Sequence, residues 1–480
     1  MIDSNEGTTP TAAWPRSRPA RSKRGPLHEI SRRSIAVVHH TLGRGRPRAT
    51  SPFRGVRWTI AYVSLLLYTF VIISYRLPIG DVVMAAALIG ILVQRDNLVL
   101  PRFLVWMLLF VAWCAIGYSR TAYPNLVSPE LLQLTKVWLV ALAAANTVRS
   151  RAQLRFFLVV FLACYALFPI RGAIFNYLIY RQTAGGRMVW NFVFDNPNDL
   201  AAITLLPLSM AASLVVSENR GWVRIASLIG TATLTVIIVL SQSRGAFIAL
   251  VLFGALALLG QRRRARVLLT IGALGAVVAL AAPSSVWERM RGLARITDVT
   301  QLDEVDPEGS ARQRFEIWRV AVTIVAENPL TGVGWGAYAL AHNRTAYRPN
   351  FAITAHGKRD THSTLLNVAA ETGYPGVLLF LAFLTALGVH VERTRRRART
   401  VMPLQAQQLY YLELGFLAFL VAGFFGSFAK MAFLYLHAAL LWATAEICRR
   451  ELIALARPGP PSVSLPSAPP MRRRLARRRR

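Results

Sequence analysis

Charged residues are scarce in this sequence. They make up 16% of its 480 residues, against roughly a quarter in an average soluble domain. Acidic residues are scarcer still: 23 Asp and Glu stand against 56 Lys and Arg, a formal charge of +33. With 54% hydrophobic residues and so little charge, a soluble fold would have no polar surface left to face water. Cysteine is nearly absent. Cys114, Cys164 and Cys448 lie in or at the end of apolar stretches, and no pair has metal-ligand spacing. A disulfide framework is therefore not expected.

The excess of positive charge does not point to nucleic acid. Much of it sits in two tails: residues 1–57, rich in Arg, Pro, Ser and Gly, and the end of the chain, MRRRLARRRR from Met471. The first has the composition of a disordered arm. No aromatic residues interleave with these arginines to stack on bases. Basic tails beside membrane spans instead report orientation and attract anionic lipid. A secretory signal is not expected, because the first apolar stretch begins near Trp58, behind the hydrophilic arm.

What the sequence does have is apolar runs of membrane length. Spans are expected at about 58–75, 78–94, 103–118, 131–148, 154–170, 200–216, 222–240, 246–260, 267–282, 364–389, 409–427 and 432–448. Asp81 and Lys136 fall within two of them, where a charge faces a protein interior more readily than lipid. Placing the basic N-terminal tail in the cytoplasm and alternating puts Arg149, Arg151 and Arg155 on that side. The clusters QRRRAR at 261–266 and ERTRRRAR at 392–399 and the C-terminal tail fall there too, as the excess of Lys and Arg in cytoplasmic loops requires. The fold expected is all-α: a polytopic membrane bundle of about twelve transmembrane helices with one large periplasmic segment containing an amphipathic helix. Its parts are a cytoplasmic tail (1–57), about nine helices (58–282), the large periplasmic segment (283–362), about three helices (363–448) and a second cytoplasmic tail (449–480). A shorter segment, 171–199, also falls outside.

Arginines on the outer side run against the usual bias and ask for a reason. In SQSRGA at 241–246, one span ends and the next begins. Gly245 is expected to allow the tight turn. Arg244 at that edge suits either a lipid headgroup reached by snorkelling or a lipid-linked phosphate, whose oxygens match the guanidinium fork. From Ser310, Phe315, Trp318, Val322 and Val325 repeat at helical spacing, and Asn328 and Pro329 end the helix. Arg314 lies one turn before Trp318, open to a cation–π contact, a headgroup or a phosphate. Arg312 and Arg319 point elsewhere. Gly332, Gly334 and Gly336 lack nucleotide-fingerprint spacing and read as a turn that lets backbone approach a neighbour. His362 falls where the outer segment re-enters the membrane. There an imidazole either bonds backbone or takes a proton from an alcohol. Glu371, nine residues on at about 100° per residue, lies on the opposite helix face and reads as a buried structural carboxylate unless Pro375 and Gly376 distort the helix. In DNPNDLA at 195–201, Asp199 is expected to cap the next span, and Asp195 and Asp199 lack a third ligand for a metal.

In order and context the sequence resembles the O-antigen ligase and O-antigen polymerase family of bacterial membrane glycosyltransferases. The resemblance rests on SRGA after a long apolar span, then an R-x-x-x-W helix, P-L-T-G-V-G-x-G, H-S-x-L and E-x-G-x-P-G, and is strongest over about 195–390. It implies transfer of a glycan from an undecaprenyl-pyrophosphate carrier to an acceptor hydroxyl at the periplasmic membrane face. No cofactor and no metal are implied. Arg244 and Arg314 then correspond to the arginines that bind pyrophosphate, and His362 to the histidine. Arg312, Ser243, Trp318, Ser363 and Glu371 are supporting candidates, Ser363 standing where the family usually has Asn. The acceptor is a saccharide: lipid A core for a ligase or a glycan repeat for a polymerase. A protein hydroxyl would serve a protein O-oligosaccharyltransferase. A transporter or flippase is the alternative of a different class, but no internal repeat is evident and the polar residues gather at one face rather than at mid-span.

Overall fold

The computed structural model describes residues 55–93, 98–218, 221–260 and 310–456, with isolated residues between 264 and 288. Most of both tails, the span expected at 267–282 and the first part of the large segment lie outside the described residues or are described only at isolated positions, although residues 449–456, expected in the second tail, continue the final helix. The chain forms two units. Nearly all described residues belong to Ala49–Leu452. Of the other, Met1–Arg48 with Ile453–Arg480, only Ile453–Ala456 are described, the last turn of the final helix.

Among the described residues the structure is helical and has no strand. The helices are α1 (Ile60–Ser74), α2 (Gly80–Val93), α3 (Arg102–Tyr118), α4 (Pro124–Thr147), α5 (Arg151–Tyr180) and α6 (Pro197–Ser217). They continue with α7 (Gly221–Leu240), α8 (Arg244–Leu259), α9 (Ser310–Glu327), α10 (Tyr338–Ala346), α11 (Thr364–Val401), α12 (Pro403–Ala422) and α13 (Ala432–Ala456). Six are long and apolar enough to cross a membrane: α4, α5, α6, α7, α11, and α12 with its extension to Phe425. Four more, α1, α2, α3 and α8, are apolar but shorter. Helix is the form to expect here, because in lipid each backbone N–H and C=O must be bonded within its own segment.

The core is built around α6. From Leu200 to Leu214 it is buried on every side, as a helix apolar all round must be. Small residues let its neighbours close in: a Cβ at Gly415 of α12 would fall 2.1 Å from Ser209 Cβ. Asp81 and Lys136, both within apolar helices, pair with each other at 2.7 Å. The chain thereby keeps each charge partnered in a region where a lone ion is costly.

Helices α5 and α11 depart from expectation in their course. Helix α5 continues to Tyr180, so the segment expected outside at 171–199 begins about three turns late. Wide π-type turns at Ala166–Ile170 and Asn176–Tyr180 carry it on. The first surrounds Pro169, whose missing N–H such a turn absorbs. Helix α11 breaks at Gly373, with φ 69 and ψ −176, rather than at Pro375 or Gly376. The cause is a docked backbone. Pro375 has no N–H to give to Glu371 O, and that oxygen accepts from Gly334 N at 3.0 Å. Tyr374 N donates to Pro329 O at 2.8 Å, leaving Ala370 O for Val333 N at 2.9 Å. The turn 328–336 is thus threaded into the break as a substitute for helical hydrogen bonds. The expected close backbone approach at Gly332 and Gly334 is what the structure has.

Gly373→Ala should therefore destabilise the protein by about 3 kcal/mol or more. Its φ is left-handed, and a Cβ there would lie 2.1 Å from Leu330 O. The thermal midpoint of purified protein in detergent checks this, with Gly388→Ala, where a Cβ meets nothing, expected near wild type.

Candidate active site

Several segments meet at one end of the helices around the turn 423–428 that follows α12. Thr364, the first residue of α11, donates its hydroxyl to Gly426 O at 2.7 Å and accepts from Phe428 N at 3.0 Å. Thr361, fully buried, exchanges a hydrogen bond with Ser427 Oγ at 2.8 Å. Its carbonyl accepts from Trp318 Nε1 of α9 at 2.8 Å. On the other side of the turn, Phe425 packs on Gly245, where a Cβ would fall 2.6 Å from the phenylalanine Cβ. One short turn so gathers the start of α8, which carries Arg244, the helix that carries Arg314, and the strand-like link that carries His362.

Gly245 does not make the turn that the sequence suggested. The left-handed residue is Gln242, at φ 51, and Gly245 serves to admit Phe425. Ser243 precedes α8 as its N-terminal residue without a side-chain capping bond. Arg187, unremarked in the sequence, clamps this turn: its Nε donates to Ser241 O at 2.8 Å and its Nη2 to Asn198 Oδ1 at 2.7 Å. The cap of α6 is Asn196, whose Oδ1 accepts from Asn198 N at 2.8 Å. Asp199 lies in the first turn instead, so the expected capping role belongs to its neighbour, for which Pro197 sets the backbone. Among the described residues no group of three or more His, Cys, Asp or Glu could hold a metal.

Helix α9 buries a different face from the one expected. Ile317, Val320, Ala321, Ile324 and Val325 are buried, whereas Phe315 and Val322 are exposed. The partner surface, with Tyr338, Ala341, Phe351 and Ala370, decides which of two apolar stripes turns inward. Arg314 and Trp318 lie at the edge of that face, half-buried, and Arg312 is exposed. Arg319 pairs with Glu316 at 3.0 Å.

His362 lies two residues before α11 with φ 49, a left-handed conformation that costs a non-glycine residue about 1–3 kcal/mol. Burial lowers its pKa below the ordinary 6.5; Asp360 opposes that effect, and Arg314 and Arg359 add to it. A neutral imidazole results, with an arginine of α9 within electrostatic reach. Ser363 is buried and starts α11 without a side-chain capping bond.

Glu371 has the buried structural place expected of it. It is 1% exposed, and its Oε1 accepts from Lys430 Nζ at 2.8 Å and from Tyr338 N at 3.3 Å. Lys430 also lies 5.3 Å from the centre of the Trp335 ring. Burial works against its ammonium, but Glu371, with Glu130 and Asp360, outweighs burial and raises its pKa. Sequence reasoning missed this lysine, although a lone cation in SFAKMAF between two apolar helices was a signal.

Residues 229–381 match a family model described as O-antigen ligase. The matched stretch, less than half of the chain, runs from within α7 into α11 and contains Arg244, Arg314 and His362. No curated protein matches the chain. The family resemblance read from the sequence holds over this stretch. With the apolar helices it supports a multi-pass membrane protein that is similar, over residues 229–381, to enzymes of the O-antigen ligase and polymerase type.

Lys430→Met would leave the Glu371 carboxylate buried without its cation. With Lys430 one-third exposed, and so partly screened, we expect a loss of about 1–3 kcal/mol. Changing both residues to Met should recover part of it. Thermal midpoints of the three variants in one detergent are the check.

Proposed function

We propose that this protein moves a glycan from undecaprenyl pyrophosphate to an acceptor hydroxyl at the periplasmic face of the bacterial inner membrane, in lipopolysaccharide or exopolysaccharide biosynthesis. The observation that carries it is the meeting of three segments of the matched stretch, bearing Arg244, Arg314 and His362, around one turn at one end of the helices. Orientation has separate support. Arg149, Arg151, Arg155, Arg395, Arg449 and Arg450 lie at the opposite ends of their helices, where cytoplasmic charge is expected. Both termini are then cytoplasmic, and anionic lipid is the partner of the basic tails.

In this mechanism Arg244 and Arg314 bind the pyrophosphate and stabilise the charge that grows on it as the sugar leaves. The acceptor oxygen attacks the anomeric carbon from the face opposite the leaving group, so the centre inverts. The new glycosidic C–O bond forms as the anomeric carbon–phosphate oxygen bond breaks. His362 takes the hydroxyl proton, and undecaprenyl pyrophosphate departs. No metal or cofactor enters these steps. A lowered histidine pKa suits a base, because the imidazole stays unprotonated at neutral pH.

In a deletion strain, Arg244→Ala, Arg314→Ala and His362→Ala should each reach the membrane and leave lipid-linked glycan to accumulate. Long surface or secreted glycan should fall at least about 100-fold. Full-length chains in the accumulating pool identify a ligase, single repeats a polymerase, and loss of glycosylated protein alone a protein O-oligosaccharyltransferase. Normal glycan from any of the three variants overturns that residue's role. Unchanged pools in the deletion strain itself overturn the transferase and favour transport. With the purified protein, activity should hold as pH falls to 6.5 and decline only below it, since the protonation that disables His362 occurs beneath its ordinary value.

A further inference from the structure

In the link Asp360-Thr361-His362-Ser363, the hydrogen bonds gather on Thr361. Thr361 N donates to Asp360 Oδ1 at 2.9 Å. Thr361 Oγ1 lies 3.0 Å from Ser363 O and 3.3 Å from Ser363 N, besides its bond to Ser427. Its carbonyl is taken by Trp318. Residues on both sides of His362 are therefore fixed, and His362 itself takes the strained left-handed backbone. Strain of this kind persists only where surrounding contacts impose it, and it collects at working sites.

The consequence of the strain is a juxtaposition. With one Asp360 oxygen held by Thr361 N–H, the other, Oδ2, stands 3.8 Å from His362 Nδ1. That leaves Nε2 as the ring nitrogen on the far side. Asp360 is partly solvated, with its side chain 47% exposed, so it is not needed to fill the core. The charged groups that face His362 are Asp360 and Arg359 from its own link and Arg314 from α9. Asp199 of α6 lies within reach of Asp360.

We propose that Asp360 is a positioning residue for His362: its carboxylate, 3.8 Å from Nδ1 and so acting through charge rather than a hydrogen bond, favours the proton on Nδ1 and leaves Nε2 for the acceptor hydroxyl. This rests on the role given to His362 above. When the acceptor proton moves to Nε2, the imidazolium forms beside an anion, which offsets the two arginines that disfavour it.

The test uses the full chain, purified and reconstituted into membranes of the deletion strain, which supply the accumulated lipid-linked glycan and the acceptor together. Asp360→Asn should lower turnover about 10- to 100-fold with the apparent KM for donor within about twofold. It should also move the acid limb of the pH–rate profile down by about one unit, because removing the anion lowers the histidine pKa. Asp360→Glu should restore the acid limb and part of the rate. A merely structural role would lower the rate without moving that limb. Wild-type turnover and an unmoved limb in Asp360→Asn would overturn the proposal while His362→Ala remains inactive. Activity in His362→Ala would instead overturn the reading on which it rests. Should Asp360→Asn fail to accumulate, Asp360→Ser carries the same comparison.

Discussion

The hydroxyl of Thr364 is the tie on which this end of the molecule depends. It donates to Gly426 O and accepts from Phe428 N, so one side chain satisfies two backbone groups of the turn after α12. Both residues it serves are packed among apolar helices, where an unpaired amide or carbonyl carries a penalty of roughly 1–3 kcal/mol. Thr361 adds the bonds to Ser427 and Trp318. These ties hold the link before α11, and through Trp318 the helix α9, to the turn on which the start of α8 packs by Gly245. The turn itself is made of GFFGSF, whose small residues let it fit: a Cβ at Gly423 would come within 3.0 Å of Thr364 Oγ1.

A second constraint works from the other side of α11. Its break at Gly373 admits the turn 328–336, and Glu371 then joins three elements by one carboxylate: Tyr338 of α10, Lys430 before α13, and α11 itself. The described run 310–363 before α11 is so fastened by Trp318 to Thr361 and by its glycine turn to the break in α11. Rigid attachment of this sort suits a site whose groups must meet a charge as it develops, because preorganised groups pay no reorganisation at that moment.

Much of this was legible in the sequence. Apolar runs marked the helices, since lipid exposure demands them, and Pro and Gly marked the turn 328–336. Arg244 and His362 stood out as polar groups at span edges, and Arg314 as a cation beside Trp318 on the helix of the outer segment. The rest depended on contacts between residues far apart in the chain. Helix α9 has two apolar stripes, and only the surface of α10 and Phe351 decides which is buried. Gly245 looked like a turn residue because the packing of Phe425 on it cannot be read from neighbours. The start of α6 read as capped by Asp199, and the backbone at Pro197 gives that role to Asn196 instead. Arg187 and Lys430 matter through Ser241, Asn198 and Glu371, none of them adjacent. Asp360 stands two residues before His362, but the distance between their side chains depends on the backbone between them, including the left-handed histidine, which the sequence does not show.

The convergence around the 423–428 turn is tested most directly by cross-linking Thr361 to Ser427, whose side-chain oxygens are 2.8 Å apart. With Cys114, Cys164 and Cys448 replaced by Ala, the pair Thr361→Cys and Ser427→Cys is oxidised mildly in native membranes, and the fraction joined is read by reduction-sensitive gel mobility. We expect near-complete bridging, with none for Thr361→Cys paired with Ser217→Cys at the far end of α6. Absence of bridging in the first pair, while both cysteines still react with a thiol reagent, would contradict the account.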